Sequence, residues 1–334
     1  MRATVKDVAR RAGVSPKTVS NVVNGLVPVS PTTRKRVELA LQELEYVPNL
    51  SARGLRNGRS GLIALALPQL ETAYSAEIAH HIVESAHEAG WSVQIEETGS
   101  EPVRERELFV KARAQQIDGL ILNPVVLEAS AVERGVTLPP IVLIGEVEQE
   151  LTDRVTVDSA AAARDMTRML LERGYRDIVC VGAGERSVSA AGHLRTIGYR
   201  EAMADVGLPP REIREPDWTS AAGAAAVDAY LNANPLPDAF FCFTDGMAIG
   251  ALSALSRRGH RVPQDVALAG FDDIDAARFL GPGLTTVSFD KREFARRAFT
   301  MLVERMRDRD MDPRLAVVSH RIVERGSTRA AVGA

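Results

Sequence analysis

From Gly61 onward, short apolar runs alternate with helical stretches, and this alternation constrains the fold more than any other feature of the chain. Strands are expected at Leu62–Leu67, Ser92–Glu96, Gly119–Leu122, Ile141–Ile144, Arg154–Val157, Ile178–Val181, Ala239–Phe243 and Val266–Phe271. Helical stretches between them include Ala76–Ala89, Arg104–Gln115, Ala160–Glu172, Gly192–Asp205 and Met247–Arg257. Strands separated by helices pair in parallel, because a parallel pair needs a long crossover, and the helices then cover both sheet faces. The length suits two such lobes, Rossmann-like in architecture, and ligands of these folds bind beyond the carboxyl ends of the strands.

The first sixty residues have a different texture. They hold eleven Lys/Arg against four acids, a net charge of +7, while the remainder carries 30 basic and 40 acidic residues, a net −10. A basic head on an acidic body suggests a polyanion as one partner and a different partner for the rest. The head is also punctuated as helices. Thr4 and Asp7 have the spacing of a capping box, and Val5, Val8, Ala9 and Ala12 follow at helical spacing. Gly13 can take positive φ and end that helix; Ser15 and Pro16 then supply a second N-cap and first-turn proline. Asn24-Gly25 ends the second helix, and Ser30-Pro31 starts a third that runs to about Leu44, with Val37, Leu39, Ala40, Leu41 and Leu44 as its apolar face. Two short helices joined at a tight glycine turn and closed by a third form a helix-turn-helix unit; a generic three-helix cap is the plainer alternative, and the charge favours DNA.

Several functions are excluded or unsupported. No run of about eighteen apolar residues is present, so no membrane span is expected, and the N-terminus lacks the apolar region of a signal peptide. A cytoplasmic location is the expectation. Cys180 and Cys242 sit in apolar runs and read as buried, reduced thiols, and no Cys/His spacing suggests zinc. Gly182-Ala-Gly184 lacks the third glycine of a dinucleotide loop, Ser187 standing there instead, and no cofactor is implied. No nucleophile elbow, paired catalytic carboxylates or metal triad stands out, so an enzyme is not expected. His80-His81 reads as a solvated pair on a surface helix.

The segment Thr4-Val-Lys-Asp-Val-Ala-Arg-Arg-Ala-Gly-Val-Ser-Pro-Lys-Thr-Val-Ser-Asn-Val-Val-Asn24 resembles the head of the lactose/galactose repressor family. Val29-Ser30, Thr33 to Val37 and Leu44 to Asn49 fit the same family, and the resemblance runs through essentially the whole chain. It implies that the second helix enters the major groove, with Pro16, Lys17 and Asn21 at base-reading positions. Lys17 can donate to guanine, Asn21 can bond an adenine edge or a phosphate, and Pro16 offers only apolar contact. Thr18, Ser20 and Asn24 read as phosphate anchors or caps, Thr4 as either or both, and capping alone suffices for Ser15. For Asn49–Ser60 the composition allows a flexible basic linker. The resemblance implies a hinge helix that orders on DNA, with Leu55 as a minor-groove wedge, Ala52 permitting close approach, and Arg53 and Arg56 on phosphates. Gly54 departs from the family's usual small serine and makes that helix weaker by about 1 kcal/mol relative to alanine.

For the body, the resemblance implies a periplasmic-binding-protein-like pair of lobes around a polar effector, a sugar being preferred and a nucleoside remaining open. Ser189, Arg195, Trp218, Thr244, Asp245 and Asp272 match cleft positions. Tyr74, Glu146 and Phe289 fall where this chain departs from the common pattern: Glu71-Thr-Ala-Tyr74 replaces Asn-Pro-Phe-Phe, Gly145-Glu146 replaces Asp-Arg, and Phe289 stands where a polar residue can occur. Arginine, aspartate and an aromatic platform suit a sugar, with polar groups fixing hydroxyls while a ring covers the apolar face. Asp245 reads equally as a helix N-cap, Trp218 as packing, and Arg195 with Asp272 as a pair in the empty site. The expected domains are 1–48 (helix-turn-helix), 49–60 (hinge) and 61–334 (effector binding and dimerisation). The lobes are expected at about 61–158 with 290–321, and about 159–289 with 322–330. The expected function is a DNA-binding transcriptional regulator, a repressor, acting as a homodimer on a near-palindromic operator under a small-molecule effector. Alternatives are an α/β enzyme, and a DNA binder without an effector. No leucine heptad follows Thr328, so a tetramer-forming tail is not expected.

Overall fold

A computed structural model of the chain describes residues 3–24, 28–46, 60–114, 116–125, 130–135, 137–185 and 188–328. It separates into two compact units, residues 1–60 and 61–334.

The first unit is three helices, α1 (Val5–Ala12), α2 (Pro16–Asn24) and α3 (Pro31–Glu43). Each starts at the expected cap. Thr4 and Asp7 form the complete capping box, and the Ser15 and Ser30 hydroxyls accept the backbone N–H of Thr18 and Thr33 at 3.1 and 3.4 Å. Gly13 ends α1 in the left-handed region, at φ 62°. Val8, Ala9, Ala12, Val19, Val22, Val37 and Ala40 form the buried core. The expected apolar face of α3 is corrected at one position: Leu39 is 49% exposed, while Leu41 and Leu44 pack against the core. Core residues Val37, Ala40, Leu41 and Leu44 recur at intervals of three and four, and Leu39 falls outside that stripe.

The second unit holds β1 (Leu62–Leu67), α4 (Ala73–Glu88), β2 (Ser92–Glu97), α5 (Pro102–Arg113), β3 (Gly119–Leu122), β4 (Ile141–Ile144), β5 (Asp153–Val157) and α6 (Ser159–Glu172). It continues with β6 (Ile178–Ala183), α7 (Ala190–Asp205), β7 (Arg211–Arg214), α8 (Ser220–Ala233), β8 (Ala239–Cys242), α9 (Asp245–Arg257), β9 (Ala267–Phe271), a 3-10 turn (Asp275–Arg278) and β10 (Thr285–Phe289). Last come α10 (Lys291–Arg307), β11 (Leu315–Val318) and β12 (His320–Val323). All eight expected strands are present within a residue or two. The structure adds β7, β10, β11 and β12, and helices α8 and α10 beyond the stretches named from spacing.

The strands form two six-stranded sheets, ordered β11-β5-β4-β3-β1-β2 and β12-β10-β9-β8-β6-β7. Every pairing is parallel except β10 with β12. The chain passes between sheets three times: from β5 into α6, from β10 into α10, and from β11 into β12. The added strands β11 and β12 are separated by Ser319 alone, yet they belong to different sheets. Their burial is mixed, as edge strands allow, which is why they give no strong apolar run. An ion cluster ties the late elements back to the first sheet. Asp153 on β5, fully buried, accepts from Arg305 Nη2 at 2.8 Å and Arg314 Nη2 at 2.9 Å. Cys180 and Cys242 are buried free thiols in β6 and β8, and burial pushes both thiols up from their ordinary range. Among the described residues, no helix is long and apolar enough to cross a membrane.

Candidate nucleic-acid interface and ligand cleft

The head presents one face of α2. Val19 and Val22 are buried, so Lys17, Ser20 and Asn21, at relative positions 0, 3 and 4, project from the opposite side of the helix; the side chain of Asn24 lies outside the described residues. Ser15, Pro16 and Lys17 are exposed at its N-terminus, where a helix favours anions. The hydroxyl of Thr18 is 2.9 Å from that of Ser15, so the two act together at the cap. Thr4 is committed to capping as well: its backbone N–H and hydroxyl both donate to Asp7 Oδ2, at 3.0 and 2.6 Å. Those bonds hold the Asp7 carboxyl below its ordinary range. Arg36 carries a role that charge counting misses. Its guanidinium donates to the carbonyls of Ala12 and Gly13, with Nη2 at 2.6 and 2.9 Å, and so locks the turn between α1 and α2. Ala52, Arg53, Leu55 and Arg56 lie outside the described residues.

In the body, a cavity of about 750 Å³ opens among the segments that follow the strands of both sheets. Residues after β1, β3 and β4 supply Tyr74, Asn123 and Glu146; residues after β6 to β9 supply Ser189, Arg195, Trp218, Thr244 and Asp272. This is the carboxyl-end position that parallel sheets offer. Arg195 is the buried centre of the site. Its Nη1 donates to the Phe243 carbonyl, its Nε to Ser159 Oγ at 3.4 Å, and its plane lies over Phe271 with Cζ 3.5 Å from the ring centroid. Trp218 is the second aromatic neighbour, at 5.1 Å. Ser159 in turn donates to Glu146 Oε1 at 2.7 Å, linking the two sides of the cleft.

Local backbone chemistry sets these side chains. Gly145 takes φ +99°, and a Cβ there would meet Asn123 Oδ1 at 2.9 Å, so glycine is needed to turn the chain into Glu146. Asp272 itself has φ 110°, an uncommon conformation for a non-glycine residue, at the end of β9. A Cβ on Gly192 would lie 3.1 Å from Trp218, so the bare helix start makes room for the indole. Burial pushes the Asp272 carboxyl up to about 7; Arg195 and Lys291 oppose the shift and Glu146 reinforces it. The Tyr74 phenol is likewise raised, by burial and then by the charges of Glu146 and Asp272.

Two expected cleft residues do not line this cavity. Asp245 is not the N-cap of α9; Thr244 is, accepting from the Met247 N–H at 3.1 Å. The Asp245 carboxylate is fully buried and accepts from Thr286 Oγ1 at 2.6 Å and the Ile274 N–H at 2.9 Å, so it braces the turn beyond Asp272. Phe289 packs instead between Tyr74 and Phe294, with centroids 6.4 and 5.6 Å away. Both are expected from the family resemblance, which fixes a position in the chain; their side chains turn away from this cavity. Ser159 and Asn123 escape sequence reading. The placement of Asn123 directly after β3 is a usable signal, whereas Ser159 has none beyond its helix start.

Residues 4–49 match the bacterial regulatory proteins of the lacI family, and residues 167–328 match a periplasmic binding protein-like domain. The HTH-type transcriptional repressor CytR of Escherichia coli K12 is 34% identical over 98% of this chain and 97% of its own length. The chain belongs to the lacI family of bacterial regulatory proteins. Among solved structures, the lac repressor dimer bound to operator and the anti-inducer ONPF is 29% identical, with a TM-score of 0.84 over 98% of this chain and 99% of that one. The complex of the transcriptional regulator CelR with cellobiose is 30% identical, with a TM-score of 0.70 over 98% and 100%. This lacI-family chain therefore shares the whole arrangement, helix-turn-helix head and two-sheet body, with transcription regulators.

Proposed function

We propose that this transcriptional regulator is a repressor whose operator affinity is set by a small polar effector, a sugar, bound in the cleft around Arg195 and Asp272. One observation carries the reading: a lacI-family head and a cleft lined by Arg195, Asp272, Trp218 and Tyr74 occur on one chain. Pro16, Lys17 and Asn21 read bases from α2, while Ser15, Thr18, Ser20, Asn24 and Thr4 hold the backbone or cap the helices. Ala52, Arg53, Leu55 and Arg56 engage the minor groove. In the cleft, hydroxyls donate to Asp272 and Glu146, and Trp218 with Tyr74 covers apolar ring faces. Ligand closure then changes the relation of the two lobes, and the coupling reaches DNA as a change in affinity. The protein acts as a homodimer on a near-palindromic site, because each head makes few base contacts. Phe279, 79% exposed just after the 3-10 turn, is a large apolar side chain that a second copy would cover.

The test begins with operator selection from random duplex DNA by the full chain. Sugars and nucleosides are then screened by thermal shift, and each hit is titrated into the protein–operator complex. A cleft ligand is expected to change operator Kd at least fivefold. Ligands that stabilise the body yet leave operator affinity within twofold would refute the coupling. Sedimentation at micromolar concentration is expected to give a dimer, and a tetramer or monomer would contradict that assignment.

A further inference from the structure

The charge balance of the cleft restricts its ligand further, an inference that rests on reading the cleft as the effector site. Among the described residues, four carboxylates line it, Glu71, Glu146, Asp217 and Asp272, against the single guanidinium of Arg195. Two of its three nitrogens are committed to the protein, Nη1 to the Phe243 carbonyl and Nε to Ser159, and its carbon lies over the Phe271 ring. Its Nη2 stands 3.8 Å from Glu146 and 3.9 Å from Asp272, beyond hydrogen-bond distance of either carboxylate. Lys291, the second cation acting on Asp272, is held by Glu77 at 2.7 Å and donates to the Asp273 carbonyl at 2.8 Å. The side chains of Glu146 and Asp272 are only 14% and 6% exposed, so water screens them poorly.

Helix N-termini are the remaining source of positive potential. Those of α4, α7, α8 and α9 open on the cavity, and each is already capped, by the hydroxyl of Thr72, Ser189, Thr219 or Thr244. Among the described lining residues the one cationic donor left is Nη2 of Arg195, and it stands 3.8 and 3.9 Å from Glu146 and Asp272, so an anionic group that reached it would also meet both carboxyl groups, whereas those two poorly exposed groups are placed to accept hydrogen bonds. We propose that the cleft selects an uncharged or cationic ligand rich in hydrogen-bond donors, whose hydroxyl or amino groups bond Glu146 and Asp272, and rejects phosphorylated or carboxylated counterparts. Above about pH 7, where Asp272 is ionised beside Glu146, a phosphate would bring further negative charge against the two carboxylates without a free guanidinium fork to receive it. An amino group replacing a hydroxyl gains a charge-assisted bond to the same oxygens.

The cleft carries its own reporter. The chain has two tryptophans, Trp91 and Trp218, so W91F leaves Trp218 alone in the cavity wall. Quenching of W91F by caesium and by iodide, each normalised to a free tryptophan amide at matched ionic strength, reads the local charge with no ligand required. Caesium is expected to quench at least twofold more steeply than iodide, and E146Q and D272N, added singly and checked for folding by circular dichroism, should each move the ratio toward one. An iodide slope equal to or above that of caesium would overturn the proposal. A second arm compares glucose, glucosamine and glucose 6-phosphate, and adenosine with its 5′-monophosphate, by thermal shift. Any phosphate that stabilises the body more than its parent also overturns it. The quenching arm decides where no panel member binds. Charge selection with no effect of bound ligand on operator affinity would refute the effector reading alone; operator release by an anion would refute the charge proposal alone.

Discussion

The head and the body of this chain solve opposite problems. The head is three short helices of 8, 9 and 13 residues with a core of valines and alanines, and each helix start is fixed by a hydroxyl three residues from the N–H it caps. The body joins groups that are remote in sequence: Arg305 and Asp153 are 152 residues apart, and Arg195 reaches the Phe243 carbonyl over 48. Local capping stabilises each helix by about 1 kcal/mol and leaves a polar face free for a partner. Long-range packing places side chains from several loops around one cavity. The difference teaches why DNA contacts can be assigned by position on a single helix, whereas cleft contacts need coordinates.

The comparison can be broken at its strongest body contact. Asp153→Ala strands two guanidiniums, of which Arg305 is buried, and should cost the body about 3–5 kcal/mol. Chemical denaturation should show that loss in the body transition and none in the head. Burial opposes ionisation of Asp153, but the bonds from Arg314 and Arg305 prevail and hold its carboxyl below the ordinary range. Its stabilisation is therefore full above about pH 4, the unfolded value, and lost as pH falls through the lower folded value. The acid limb of a stability profile should show this loss, and Asp153→Ala should lack it.

Asp272 gives the opposite slope. With its carboxyl raised to about 7 by burial, the folded body keeps a proton that the unfolded chain releases near pH 4, so its stability should decline as pH rises between those values. Asp272→Asn should flatten that decline in thermal denaturation; an unchanged slope would mean that the carboxylate is better solvated than its burial indicates.

In the head, Lys17→Ala is expected to lower operator affinity by about 1–3 kcal/mol and to reduce the salt slope if the lysine meets a phosphate. Arg36→Ala sharpens the point, because its guanidinium already serves the α1–α2 turn. It should lower head stability while the salt slope of binding stays unchanged; a shallower slope would return Arg36 to the DNA surface. The smallest effect is Ser15→Ala, a loss of about 1 kcal/mol in helix-unit stability from the uncapped α2, measured by denaturation.

Much of this was legible in order of residues. The caps at Thr4, Ser15 and Ser30 and the stop at Gly13 are chemistry within a few residues, so sequence locates α1, α2 and α3 and sets Lys17 and Asn21 on the face opposite Val19 and Val22. Leu39 shows the limit: an apolar residue in a helix joins the core only if its angle matches the stripe. In the body, fully buried strands such as Leu62–Leu67 and Ile141–Ile144 announce themselves as apolar runs, whereas β11 and β12 are half-exposed edges without such a run. Tyr74, Glu146, Ser189, Arg195, Trp218, Thr244 and Asp272 do meet in one cavity. Asp245 follows β8 and Phe289 ends β10, yet their side chains turn into hydrogen bonds and aromatic packing.

What the sequence by itself determined is what short-range forces write: helix starts and stops, the parallel αβ alternation, the change of charge at residue 60, and family membership through the head motif. Tertiary structure alone decided which remote groups share a low-dielectric space. It assigned Arg36 to a turn and Asp245 to a brace. It also set Glu146 and Asp272 within 4 Å of a guanidinium already engaged elsewhere. The physical reason is that burial and charge coupling depend on three-dimensional distance, and distances across two sheets joined by three crossings are not encoded in any local stretch of chain.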